Sequence, residues 1–137
     1  MNRFFKATCW ATSLLFAYLF VQVLFLPDPF VQGFGLEPSN ATRILARRAS
    51  MFMLGISVAC LAMRSLQDAP WRGRFCLAMG ITLLGLAGTS SFELARGTVD
   101  SSVFFAATVE TILGLAFAST WIHDQFVHPA TPHRGEI

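Results

Sequence analysis

Ionisable side chains are scarce in this chain, so the few that fall in or beside long apolar runs are the ones with chemistry to offer. Glu110 interrupts "VFFAATVETILGLAFASTWI", Arg47 and Arg48 open "ARRASMFMLGISVACLAM", and Glu93 and Arg96 close "FCLAMGITLLGLAGTSSFELAR". A carboxyl in the middle of an apolar run acts as a proton carrier or a counter-ion, and an arginine acts as its partner or as an anion holder. An unpaired carboxylate in hydrocarbon is costly, so Glu110 is expected to be paired, protonated or in contact with water.

The elements that must position these groups are helices. The chain has 137 residues, of which 54% are apolar and only 13% charged. With a mean hydropathy of +0.56, it has too few polar residues to cover a soluble surface. The expected fold is all-α, an integral membrane up-down four-helix bundle with transmembrane helices at about 4–26, 40–64, 74–95 and 102–123. Residues 1–123 would form this single domain and 124–137 a polar C-terminal tail. Ser39 is placed to cap the second helix. The linker "PDPFVQGFGLEP" alternates Pro and Gly with Phe30, Val31, Phe34 and Leu36, which fits either a short interfacial half-helix or an ordinary loop.

Depth then groups the ionisable residues. Arg47 and Arg48 lie roughly 10–12 Å along the second helix, and Glu110 lies roughly 12 Å into the fourth from the same side. The third helix ends there too, so Arg47, Arg48, Glu93, Arg96 and Glu110 are expected to share one half of the bundle. By helical phase, Arg48 falls on a stripe with Gly55 and Ala59, and Glu110 on one with Ala106, Gly114 and Phe117. Small residues spaced four apart, Gly55 with Ala59 and Gly114 with Ala118, permit close helix approach in membranes. An Arg48–Glu110 bridge is therefore the expected structural arrangement. A polar pocket holding an anionic or amphipathic molecule through the arginines is the functional alternative. Arg43 and Arg47, one turn apart, suit interfacial anchoring.

Charge and spacing exclude several function classes. The net charge of +2 is small and its cations are scattered, which argues against nucleic-acid binding. Cys9, Cys60 and Cys76 have no CxxC spacing and sit in apolar runs, as small buried hydrophobes do. His123, His128 and His133 all fall at or after the end of the last helix, so no bis-histidine haem is built. Neither HExxH, P-loop nor GxSxG is present, and no metal or other cofactor is expected. Lys and Arg number six on the side of the N-terminus (Arg3, Lys6, Arg64, Arg72, Arg74, Arg134) and four on the other, a bias that places both termini in the cytoplasm. Trp10, Trp71 and Trp121 lie toward the same ends, where an aromatic belt is expected.

From Leu26 to Ser119 the chain resembles a group of small uncharacterised bacterial four-helix membrane proteins, a domain-of-unknown-function family loosely similar to the DoxX-like group. The residues carrying this are "LPDPFVQGFGLEPSN", the arginine-bearing start of the second helix leading to "LGISVACLA", and "VETILGLAF". The resemblance implies a four-span fold in the bacterial inner (plasma) membrane and supplies no chemistry to transfer. It departs from that pattern in having two adjacent arginines, "ARRAS", where the group has one.

Two functions remain open at this point. One is a non-catalytic accessory subunit or binder of a small hydrophobic or amphipathic ligand, surrounded by lipid bilayer and packing against its own copy or a larger membrane complex. The other is a small membrane enzyme or carrier for a lipid-like substrate, with Glu110 as acid/base and Arg48 as anion holder.

Overall fold

The computed structural model describes residues 2–127. These form α1 (Asn2–Phe25), α2 (Pro27–Gly33), α3 (Asn40–Met63), α4 (Ala69–Ala95) and α5 (Val103–Val127), with no strand among the described residues. Four of them, all but α2, are long and apolar enough to cross a membrane. The linker thus contains a helix, α2, which begins at Pro27 where a missing N–H costs nothing.

Local chemistry sets the boundaries. Ser39 caps α3 as expected: Thr42 N–H donates to Ser39 Oγ at 3.1 Å, and Ser39 N–H donates to Thr42 Oγ1 at 2.7 Å. The start of α4 lies five residues earlier than expected, at Ala69, because Pro70 in the first turn opens a helix rather than breaking one. At its other end Gly97 adopts φ +69° and donates to Leu94 O, while Thr98 N–H donates to Glu93 O, a Schellman stop. Likewise α5 runs on through His123 to Val127, so the start of the anticipated tail is helical. His128, His133 and Arg134 lie outside the described residues.

The long helices pack as two antiparallel pairs. In the first, α1 runs against α3, with Ser57 Oγ donating to Ser13 O at 2.8 Å across the contact. In the second, α4 runs against α5 through small residues. A Cβ on Gly80 would lie 3.5 Å from Gly114 O, and one on Gly114 would lie 2.8 Å from Leu84 Cγ. Gly114 and Ala118 therefore do permit a close approach. Gly55 does not: nothing lies within 4 Å of a Cβ placed there.

The pairs are fastened at both ends and only loosely between. At the end holding the N-terminus, Phe5, Cys9 and Phe16 of α1 meet Cys60 of α3, Cys76, Met79 and Leu83 of α4, and Phe117 of α5 in one buried core. Phe75 stands edge-on to both Phe5 (6.4 Å, 86°) and Phe117 (6.1 Å, 85°). At the opposite end α2 acts as a strap. Its Val31 packs with Val23 and Ala46, and Asp28 binds Arg43. The turn that follows α2 reaches α5: Asp100 N–H donates to Phe34 O at 3.2 Å, and Ser102 Oγ donates to Gly33 O. Gly35 makes this turn at φ +74°, with Asp100 so close that a Cβ would lie 3.3 Å from it. Between the fastenings α1 meets α5, while α3 and α4 stand apart.

This packing predicts opposite responses at two glycines. Gly114→Val should drive α4 from α5 and cost about 1–3 kcal/mol. Gly55→Ala should leave stability within about 1 kcal/mol of the native protein, since a helical alanine there meets nothing. Equilibrium unfolding in mixed detergent micelles measures both; equal losses at the two positions would contradict the packing.

Candidate functional site

Where α3 and α4 stand apart, the molecule has an apolar cleft of about 680 Å³. Phe16 and Leu19 of α1 form its floor, Phe52, Gly55 and Ile56 one wall, and Met79, Thr82 and Leu86 the other. Glu110 is the one ionisable residue in the lining. A second cavity of about 250 Å³, between α1 and α5, is lined by Tyr18, Phe105, Phe16 and again Glu110. Glu110 therefore lines both cavities, as Phe16 and Leu19 do. Its Oε2 is buried and has no hydrogen-bond partner; Thr12 Oγ1, a turn before Phe16, is the other such atom among the described residues.

The neighbouring hydroxyls are occupied with their own helices. Thr82 donates to Ala78 O at 2.9 Å, Thr108 to Phe104 O at 2.8 Å and Thr111 to Ala107 O at 2.7 Å. Such back-bonding satisfies a hydroxyl where no water is at hand. An ionised Glu110 can only accept, so it cannot satisfy itself on its own helix's carbonyls in this way.

Of the five residues that depth counting grouped together, only Glu110 lines this cleft. The expected Arg48–Glu110 bridge is not formed: Arg48 is exposed, and the ion pairs among the described residues are Arg43–Asp28 and Arg72–Asp124. The cause is packing. The Arg48–Gly55–Ala59 stripe was expected to face a neighbouring helix, but at Gly55 no helix closes on it. Arg47 is exposed as well and lies near enough to Asp28 to act on its charge. Glu93 accepts a hydrogen bond from Thr98 Oγ1 at the α4 stop, and Arg96 lies 5.5 Å over the Phe92 ring, so both serve the α4–α5 turn.

Two ion pairs escaped the sequence reading. Arg72 and Asp124 form a buried fork, with Arg72 Nε and Nη2 each donating to a carboxylate oxygen at 2.8 Å. The side chains are 11% and 3% exposed. Arg72 lies three residues inside the start of α4 and Asp124 three before the end of α5, so matched depth could have paired them. The polar cluster expected only in the α2 half thus has a counterpart at the other end. The second pair is Arg43 with Asp28, Nε–Oδ1 2.6 Å and Nη2–Oδ2 2.9 Å. The Arg43 guanidinium holds the Asp28 carboxyl below the usual carboxylate range, and Arg47 adds to the effect. Asp28 is set in the linker, where a carboxylate attracts no attention without knowledge that α2 folds back on α3.

These pairs predict different outcomes. Arg72→Ala leaves a buried carboxylate and should cost about 3–5 kcal/mol, whereas Arg72→Met with Asp124→Leu should recover most of that. A double-mutant cycle of detergent unfolding measures this, and additive losses would show that the fork does not couple α4 to α5. Asp28, half exposed, contributes through a lowered pKa. Its contribution is complete above the unfolded value of about 3.9 and is lost as pH falls through the lower folded value. Asp28→Asn should therefore remove that acid limb from a plot of melting temperature against pH. An unchanged limb would place the transition elsewhere.

The larger cavity can hold an apolar body, and Glu110 is the one titratable group among its lining residues; Tyr18 is a second in the lining of the smaller one. No protein-family description, no curated protein and no solved structure matches this chain.

Proposed function

We propose that the chain is a small integral membrane protein that binds a hydrophobic or amphipathic small molecule in the α3–α4 cleft without transforming it, alone or as an accessory subunit. The cleft with its single buried carboxyl oxygen is the observation that carries this reading. Its volume falls within the roughly 300–1,000 Å³ of small-molecule sites, and its walls are almost wholly apolar. Catalysis or carriage with Glu110 as acid/base is less well supported, because that chemistry needs a second group to take or return the proton and the α3–α4 cleft has none among its lining residues.

Insertion as four up-down spans is supported by what the helices leave outside. Phe25, Phe104 and Ile81 are 70%, 65% and 65% exposed, a cost in water and none in lipid. Placing both termini in the cytoplasm of a bacterial inner membrane rests on the Lys and Arg bias. Setting aside Arg72 and Arg43, one from each side and each neutralised by a carboxylate, leaves that bias in place. Trp10 under Arg64 (4.8 Å) and Trp71 under Arg74 (5.0 Å) suit the same interface.

A diazirine-bearing sixteen-carbon alcohol in lipid nanodiscs tests the reading. Photolabelling should concentrate on Phe52, Gly55, Thr82 and Leu86, and Gly55→Trp, which fills open space, should suppress it while the melting temperature holds. Labelling spread evenly over outward residues such as Phe104, and indifferent to Gly55→Trp, would overturn it.

A further inference from the structure

Resting on the cleft as a ligand site, we infer that its ligand is a lipophilic cation, an ammonium head on an apolar body, with the head against Glu110. Charge is the first argument. The cleft's one ionisable lining residue is an acid whose buried Oε2 has no partner. The arginines that would have favoured an anion do not line it: Arg48 is exposed and Arg47 faces the region of Asp28. In surroundings this apolar, an anionic head would gain no counter-charge from Glu110, and a neutral hydroxyl would supply a single hydrogen bond. A cation supplies the missing counter-charge directly.

Shape is the second argument. Glu110 lines both a large cavity and a small one, about 680 and 250 Å³. The small cavity includes three aromatic rings, Phe16, Tyr18 and Phe105, in the lining it shares with Glu110. Aromatic faces attract ammonium groups through their quadrupoles, most strongly when water is excluded. Tyr18 is also held in place, its hydroxyl accepting from Gln22 Nε2 at 2.7 Å. In the large cavity, with Phe52, Met79 and Leu86, the one polar side chain besides Glu110 is Thr82, whose hydroxyl is donated to Ala78 O, so the space suits an alkyl or aryl body. One cavity therefore fits the head and the other the body, with Glu110 in the lining of both.

Competition against the diazirine alcohol tests this with two amphiphiles that share a tail, hexadecyltrimethylammonium and hexadecyl sulfate. In the native protein the ammonium compound should displace cleft labelling at about tenfold lower concentration than the sulfate. Glu110→Gln should erase the difference while cleft labelling by the neutral alcohol persists. Phe105→Leu should weaken competition by the ammonium compound and leave the sulfate unchanged. Equal competition by the two in the native protein, or a preference surviving in Glu110→Gln, overturns the cationic assignment while cleft binding stands. Absence of cleft labelling in the native protein overturns both.

Discussion

Phe75 wedged edge-on between Phe5 and Phe117 joins what would otherwise be two separate helical hairpins. The α1–α3 and α4–α5 pairs each hold together by their own small-residue and hydroxyl contacts. Neither has a broad face for the other. The aromatic stack, with Cys9, Cys60 and Cys76 filling the space beside it, fixes the distance between the pairs at one end. The α2 strap fixes it at the other through Asp28, Gly35 and Asp100. The gap between α3 and α4 is a consequence of both fastenings, since neither lies between those two helices at mid-length.

That gap explains why the charged residues are distributed as they are. Charges near the ends find partners: Arg72 has Asp124, and Arg43 has Asp28. Aromatic rings take Arg64, Arg74 and Arg96. Among the described residues, the one buried carboxyl oxygen without a partner is that of Glu110, beside the gap. In a closed four-helix bundle this position would be a liability of several kcal/mol. Beside a cavity the oxygen is open to a partner from outside the chain.

The helical plan was legible in the sequence because apolar runs, Pro and Gly stops and the Ser39 cap act locally. So was the depth of Glu110, which follows from counting along one helix. Partner choice was not legible. Helical phase put Arg48 and Gly114 on equivalent small-residue stripes, yet Gly114 meets Leu84 while Gly55, on the stripe of Arg48, meets nothing. A stripe says which face is smooth, and only the packing of the whole molecule says whether a helix arrives there. Asp28 and Asp124 were overlooked for a related reason: one lay in a linker and one in an expected tail, and both turned out to belong to helices.

A structure determined in lipid nanodiscs tests the central claim most directly, through the space between α3 and α4. The account predicts helices held apart, with elongated density running along Phe52 and Leu86 and ending at Glu110 Oε2. Closure of α3 onto α4, with Gly55 in van der Waals contact with α4 and Glu110 paired to Arg48, would contradict it.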